Sequence, residues 1–220
     1  MLATVQKPES LLNEFGVEMG PGGLVVLSDM DKAEHAYIYH SRIPVALTAF
    51  AIVSPAFAKG RFPKTRLVDL IAKAPSMDAM EKLALAAVVG VDNLGAIDAT
   101  RFTAQLRHII DHYGLGKFFM PGRPACHGID VRPGGIDYHT DQTDPPAMAA
   151  WRKAYKDEPP VRQMLIATIL WLYNSDEKLI KKFWLHRLPC GWHAADAVNT
   201  LKHNDALRDW AQLIALYSGW

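Results

Sequence analysis

The sequence predicts a mainly α protein of the α+β class: a helical bundle with a small N-terminal antiparallel β element and a long central loop rich in glycine and proline. Three observations predict this class. Apolar residues recur at helical spacing over most of the chain after residue 43. Short runs rich in β-branched and aromatic residues lie within residues 1–41. Residues 115–146 contain ten glycines and prolines, which interrupt any long regular element.

The N-terminal β element is predicted from two short runs that flank a polar connection. "LVVLSD" (24–29) follows the turn-forming "GPGG", and "HAYIYHS" (35–41) is rich in residues that favour strands. The intervening residues are numerous enough for a hairpin loop. We therefore expect these two runs to pair as antiparallel strands.

Helical spacing begins after this element. Residues 43–57 are predicted to form a buried helix, because 15 residues with two prolines are too short for a membrane span of about 20. Further helices are predicted over 66–74, 76–90 and 98–114. The last of these has an Asp cap, a Gly stop and an apolar stripe made of Phe102, Leu106, Ile109 and Ile110.

The C-terminal third of the chain is predicted to be a helical bundle. The segment "VRQMLIATILWLYN" is apolar on nearly all sides, which is typical of a central helix. The final segment carries a stripe made of Leu207, Trp210, Ile214 and Tyr217. The predicted helices cover 147–157, 160–174, 176–187, 191–202 and 205–218.

Length and composition are those of one globular domain. A chain of 220 residues with 50% apolar and 21% charged residues can form a single core, so we expect one domain over 1–220. The natural subdivision is an N-terminal β and helical part (1–114), a functional loop (115–146) and the C-terminal bundle (147–220).

Charge and cysteine usage limit the partners and the compartment. The formal charge of +1 gives no overall attraction for nucleic acid or for an anionic membrane. No signal peptide is evident at the N-terminus, and two cysteines suit a reducing compartment, so the expected location is cytoplasmic. Whether Cys126 and Cys190 are bridged, metal-bound or neither is left open.

The central loop is where we expect the functional site. It can hold at most two short extended pieces, "KFFM" and "GIDYH", and a loop of this length in a compact chain is usually functional or a linker. Its polar residues have both charge signs, as catalytic loops often do. They are Arg123, Cys126, His127, Asp130, Arg132, Asp137, Tyr138, His139, Asp141 and Asp144.

One triplet in this loop has the spacing of metal ligands. On an extended strand His139 and Asp141 would project to the same face. The triplet resembles the His-x-Asp motif of 2-oxoglutarate-dependent oxygenases, a resemblance that covers three residues and implies an iron site. That fold requires about eight strands, whereas the sequence offers about half that number. A solvated polar loop is the alternative interpretation of the triplet.

Two further groups of residues could contribute metal ligands. His108 and His112 are four residues apart, which places both on one face of a helix. The alternative is that His112 stabilises the negative end of its helix. Cys190 and His193 form a Cys-x-x-His spacing that suits zinc. Buried apolar cysteines are the alternative to that zinc site.

These residues support three hypotheses for function. The first is a metal-assisted hydrolase with zinc or iron, built from the loop and the facing helices. His139 and Asp141 would be ligands, with His108, His112 or His193 as a third. Asp144 would join His139 and Asp141 in catalysis, and Arg123, Arg132 and Tyr138 would bind the substrate.

The second hypothesis is a non-catalytic protein-binding module with an aromatic-rich surface, because six Trp and seven Tyr supply many interface-type side chains. Whether the partner of the chain is a protein or a small molecule is left open. Tyr217 and Trp220 could anchor a partner or a second copy of the chain. The third is a cysteine enzyme. In it Cys190 is activated at a helix N-terminus, with His139 as base and Asp141 or Asp144 orienting that base.

Overall fold

A computed structural model provides the structure of the protein. It describes residues 13, 17–19, 25–27, 32, 66–72, 74, 82, 94–121, 129, 131–140, 142–174 and 176–220. The predicted class is confirmed: this part of the chain is mainly helical with small antiparallel sheets. Three predicted elements lie outside the described residues: the strand over 35–41, the helix over 43–57 and, except for Lys82, the helix over 76–90.

The helices and strands occur in the following order. The helices are α1 (Leu67–Ile71), α2 (Ala99–His112), α3 (Pro145–Lys156), α4 (Pro160–Tyr173), α5 (Glu177–Phe183), α6 (Ala194–His203) and α7 (Leu207–Leu216). The strands are β1 (Val17–Met19), β2 (Val25–Leu27), β3 (Phe119–Pro121), β4 (Val131–Pro133), β5 (Ile136–Asp137) and β6 (Gln142–Thr143).

The described part of the N-terminal β element contains a strand that the sequence did not predict, and the pairing of 24–29 with 35–41 stays a prediction because 35–41 lies outside the described residues. β2 lies within the predicted run 24–29, but its antiparallel partner is β1, with Glu18 opposite Val26. In the sequence, "GPGG" therefore lies between the two strands rather than before the first of them. A three-residue strand is too short for an alternating pattern to reveal it, which explains why the sequence did not indicate β1.

Helix α2 forms where its capping residues predict. The carboxylate of Asp98 accepts a 2.9 Å hydrogen bond from the backbone N–H of Arg101, which satisfies one of the first amides. At the other end Gly114 has φ +64°, and the N–H of Leu115 donates to the Ile110 carbonyl. The predicted apolar stripe is buried: Phe102, Leu106, Ile109 and Ile110 all belong to the core.

Helix α4 is the central helix of the core, as its composition predicts. Every residue from Gln163 to Leu172 is buried. Helix α7 packs against α2, and α6 packs against α1, α4 and α7. The buried hydrophobic residues between Leu67 and Tyr217 form one cluster.

Five predicted helix boundaries in the C-terminal half were wrong by two to four residues, and two of them are the ends of α7, which is two residues shorter at each end than predicted. α5 ends at Phe183 rather than at 187. The guanidinium of Arg152 donates to the carbonyls of Phe183 and Trp184, which are thereby taken out of the helical pattern. Arg187 then adopts φ +57°, which is incompatible with a helix. α6 begins at Ala194 rather than at 191. α3 begins two residues earlier than predicted, because Asp144 caps it and prolines occupy its first two positions.

The central loop contains more strand than predicted. Two short extended pieces were expected, and the structure has β3 to β6, paired as two small antiparallel sheets. β3 pairs with β4, with Met120 opposite Arg132, and β5 pairs with β6, with Asp137 opposite Gln142. Strands of two or three residues carry no readable periodicity, so only their pairing reveals them.

The described helices also bear on membrane insertion. None of those in the described ranges combines the length and the apolar character that crossing a bilayer requires.

Candidate functional site

Two tryptophans attach the central loop to the helical bundle. The indole Nε1 of Trp151 donates a 3.0 Å hydrogen bond to the carbonyl of Phe118, and that of Trp184 donates a 2.8 Å bond to the carbonyl of Gly134. The N–H of Gly134 also donates to the Phe118 carbonyl. The loop therefore folds back onto α3 and the end of α5 at these positions, as a functional loop on a rigid support would.

This attachment leaves an open groove between α2 and the β3–β4 hairpin. Its volume is about 420 Å³. The lining residues come from the C-terminal half of α2, the short 3-10 turn that follows it and both strands of the hairpin. They are Arg107, Ile110, Asp111, Gly116, Phe119, Met120, Pro121 and Val131.

The groove combines an apolar lining with charged residues on one side. Phe119 and Val131 are half-buried and Met120 is exposed, which is uncommon for a large apolar side chain among the described residues. Arg107 and Asp111 lie one turn apart on α2 and are both exposed. A concave apolar surface with a few polar groups is the usual composition of a small-molecule site.

A buried ionic contact holds the segment beneath the groove. The carboxylate of Glu158, with a side chain only 5% exposed, lies 2.6 Å from Lys117 Nζ and 3.2 Å from Arg162 Nη1. Burial raises the pKa of this carboxyl, but the two hydrogen-bonded cations outweigh burial and hold the pKa below its ordinary value. Glu158 therefore stays ionised and connects the turn after α2 to the start of α4.

The predicted ligand His139 lies at the tip of a hairpin rather than on a strand. β5 ends at Asp137 and β6 begins at Gln142, so His139 belongs to the connecting turn and its side chain is exposed. The carboxylate of Asp137 accepts from the N–H of His139 (2.8 Å) and from the hydroxyl of Thr140 (3.0 Å). The expectation of an extended His-x-Asp segment was therefore wrong at His139, and Asp141 lies outside the described residues.

The hydrogen bonds of the Asp137 carboxylate explain why an aspartate occupies this position of the turn. The hydrogen bonds from the His139 amide and then from the Thr140 hydroxyl lower the pKa of Asp137. This is the pattern in which an Asx side chain stabilises a turn.

Two of the predicted substrate-binding residues do lie together. The guanidinium of Arg132 lies over the Tyr138 ring, 4.9 Å from its centroid, and the Tyr138 hydroxyl donates to the Pro133 carbonyl. Tyr138 also meets Tyr173 edge to face, with 6.5 Å between ring centroids. Arg123 is the third predicted substrate-binding residue, and it lies outside the described residues.

The side chain of Asp144 is engaged in capping α3. Its Oδ1 accepts a 3.1 Å hydrogen bond from the N–H of Ala147. A catalytic role for Asp144 stays a prediction, and the capping contact by itself accounts for an aspartate at this position.

Cys190 does not lie at a helix N-terminus. Helix α6 begins at Ala194, so the thiol is a full turn away from the first helical residue, and the dipole acts only within that first turn. Cys190 is half-buried beside Tyr155, whose hydroxyl donates to the Pro189 carbonyl. The helix-dipole argument for an activated thiol therefore lacks its geometric basis. His193 precedes α6, and its backbone bridges to Arg66.

The pair His108 and His112 lies together on α2. Their rings are stacked, with centroids 5.3 Å apart and 17° between the ring planes. His108 Nε2 lies 3.5 Å from Oδ1 of Asp209 at the start of α7. The other carboxylate oxygen of Asp209 accepts a 2.9 Å hydrogen bond from the Tyr113 hydroxyl. Burial and the contact with Asp209 raise the Tyr113 pKa.

No set of three metal-binding side chains is found in the ranges that the structure describes. Arg123, Cys126, His127 and Asp141 lie outside those ranges. The metal-assisted hydrolase, its zinc or iron and the cysteine-enzyme hypothesis therefore stay predictions.

The C-terminal aromatic residues are used within the protein. Tyr217 is buried, its hydroxyl donates to the Leu172 carbonyl, and its ring meets Phe102 edge to face. Trp220 is half-buried and packs on Phe102 and Tyr173. Tyr217 is thus a core residue, which was one of the two interpretations of the sequence.

The groove itself was not predicted. Arg107 and Asp111 belong to α2, whereas Gly116 and Met120 belong to the following turn and to β3. Each is an ordinary residue in its own segment. The one indication in the sequence was the apolar "KFFM" next to a glycine and a proline, which was interpreted only as an extended piece.

Comparison with known proteins identifies no relative: no family model, no curated protein and no solved structure matches this chain. The function must therefore be argued from the geometry of the site.

Proposed function

We propose that this protein is a binding protein that holds a small organic ligand in the groove between α2 and the β3–β4 hairpin. The observation that carries this proposal is the groove itself, with a volume of about 420 Å³. Small-molecule sites usually measure about 300–1,000 Å³ and are lined mainly by apolar side chains.

The lining indicates the character of the ligand. Ile110, Phe119 and Val131 offer contact to an apolar body. Arg107 and Asp111 on the α2 side favour a ligand whose polar group lies at that end. Such a ligand gains free energy from burying its apolar part, at about 25 cal/mol per Å², while the polar groups set its orientation.

A small ligand fits the hairpin better than an added peptide strand does. Peptides that extend a sheet need a row of backbone donors and acceptors along the strand edge. Pro121 has no amide hydrogen, and the N–H of Phe119 donates to the Gly116 carbonyl. Two of the three residues of β3 therefore have no backbone donor to offer, so strand addition along β3 would gain few hydrogen bonds.

Gly116 lines the groove and is the position chosen for a substitution intended to block it. A Cβ on Gly116 would meet no atom within 4 Å, so Gly116→Trp should be tolerated and its indole should occupy the groove. Gly191→Trp is the matched control, because Gly191 is equally unobstructed and does not line the groove.

The test is a fragment screen by protein-observed NMR on the full chain, with mainly apolar compounds that carry one polar group. We expect compounds that shift the amides of 107–120 and 131. Their affinity should fall about tenfold or more in Gly116→Trp and stay unchanged in Gly191→Trp. A screen in which no compound shifts these amides, or hits that bind Gly116→Trp as well as the wild type, would overturn the proposal.

A further inference from the structure

The exposed face of α2 carries two imidazoles at the spacing of a chelating pair. His108 and His112 are one helical turn apart, with parallel rings and centroids 5.3 Å apart. Both residues are exposed, and the side chain of His108 is half accessible to solvent. Neither ring is enclosed by the core, so both imidazoles are accessible to an ion from solvent.

The neighbouring carboxylate is held in position by groups other than the histidines. Asp209 Oδ2 accepts from the Tyr113 hydroxyl at 2.9 Å, and the Gln105 amide donates to the Asp209 carbonyl at 3.3 Å. The side chain of Asp209 is only 20% exposed, and its Oδ1 lies 3.5 Å from His108 Nε2. Asp209 is thus held close to His108 by contacts that do not involve an ion.

This contact determines which nitrogen of His108 is available. A hydrogen on Nε2 directed at Asp209 leaves the lone pair of Nδ1 for an ion. A carboxylate on the far nitrogen of a metal-binding histidine is the usual supporting contact, because it sets the tautomer and raises the basicity of the ligand. His112, one turn further along α2, would supply the second nitrogen once its exposed ring turns out of the stack with His108.

We propose that His108 and His112 chelate a divalent transition-metal ion on α2, with Asp209 orienting the ring of His108. The two nitrogens would lie about 2.0–2.1 Å from a bound zinc ion. The remaining coordination positions are open to water or to an external ligand, so the site binds an exchangeable ion. This site is separate from the proposed groove, although Arg107 and Asp111 of the groove lie on the same helix.

The test is isothermal titration calorimetry of Zn²⁺ and Cu²⁺ into the untagged full chain. We expect saturable binding of one ion, with Cu²⁺ tighter than Zn²⁺ as imidazole ligands generally give. His108→Ala and His112→Ala should each weaken binding about tenfold or more, because one of two ligands is lost. Asp209→Asn should weaken it by about tenfold, the usual effect of removing a supporting carboxylate.

The matched control is His203→Ala. His203 is also exposed near the end of a helix, and its Nδ1 contacts the Asn199 carbonyl rather than a second histidine. This variant should bind as the wild type does. Circular dichroism should show that every variant is folded, since alanine is favourable on an exposed helix face.

A second readout identifies the ligands directly. Electron paramagnetic resonance of the Cu²⁺ complex should show two imidazole nitrogens in the wild type and one in His112→Ala. The proposal is wrong if the two alanine variants bind Cu²⁺ as tightly as the wild type. It is equally wrong if the spectrum shows fewer than two imidazoles, or if His203→Ala weakens binding as much as His108→Ala.

Discussion

The indole Nε1 of Trp210 donates a 2.9 Å hydrogen bond to the hydroxyl of Thr168, which joins α7 to the central helix α4 inside the core. Thr168 is fully buried and Trp210 is 1% exposed. The same hydroxyl donates to the Met164 carbonyl, so Thr168 is both a donor and an acceptor. One threonine thereby satisfies the polar atom of a large side chain in an otherwise apolar interface.

Replacing Thr168 should show how much free energy of unfolding is lost when the buried Trp210 N–H has no hydrogen-bond acceptor. Thr168→Val removes the acceptor and leaves the Trp210 N–H buried, so we expect the free energy of unfolding to fall by about 1–3 kcal/mol. Thr103→Val is the matched control, since Thr103 is buried and its hydroxyl has no hydrogen-bond partner within the described structure. That change should be neutral or stabilising in urea unfolding. Equal losses in the two variants would contradict this account.

The ion pairs of Glu158 should make the free energy of unfolding depend on pH in the acidic range. Its folded-state pKa is below the ordinary value, so the unfolded chain binds the proton more tightly. The stabilisation is therefore present above the unfolded pKa of about 4.3 and is lost as pH falls through the folded pKa.

The corresponding variant is Glu158→Gln. At pH 7 it should lower the free energy of unfolding by about 1–2 kcal/mol, less than for a fully buried pair because Lys117 and Arg162 are partly exposed. The difference from the wild type should shrink between about pH 5 and pH 3. Denaturant titrations at several pH values measure this, with Asp157→Asn on an exposed neighbour as control. If the difference in free energy of unfolding grows toward low pH, the pKa of Glu158 is not lowered by folding.

The capping contact of Asp144 can be separated from a catalytic role. Asp144→Ala removes the hydrogen bond to Ala147 and should cost about 1 kcal/mol. Asp144→Ser should restore most of that loss, since serine is also a good N-cap. Thermal and urea unfolding of both variants provide the measurement. If serine is as destabilising as alanine, the carboxylate has a role beyond capping.

The turn between β4 and β5 requires glycine. Gly135 has φ +84°, and a Cβ there would lie 2.8 Å from Cε of Met148. The methionine end is flexible, but the backbone conformation remains unfavourable for any other residue. Gly135→Ala should therefore lower the free energy of unfolding by about 1–2 kcal/mol, whereas Gly191→Ala, with open space around it, should change it little. A neutral Gly135→Ala would contradict the argument.

Long periodic segments predicted the fold well, and short ones did not. The stripe of α2 and the uniformly apolar α4 were identified correctly, because each repeats its pattern over several turns. The boundaries of α3, α5 and α6 differed because single contacts decide them, such as Arg152 on the last carbonyls of α5. The strands of the central loop escaped prediction because two or three residues contain no period.

The candidate site was predicted in outline only. The expectation that the loop packs on the helices holds where Trp151 and Trp184 bind it, and Arg132 does lie beside Tyr138. The sequence drew attention to His139, however, whereas the groove is formed by residues of ordinary composition. A residue that is chemically reactive in the sequence need not lie near other functional residues in the folded protein.

The sequence by itself determined the helical class, the position of the central helix and the chelation spacing of His108 and His112, because each depends on residues a few positions apart. Only the tertiary structure decided that Asp209 lies beside His108, that two tryptophans hold the loop and that a groove opens beside α2. These features join residues some thirty to a hundred positions apart. Such contacts arise from the packing of the whole core, which no local pattern encodes.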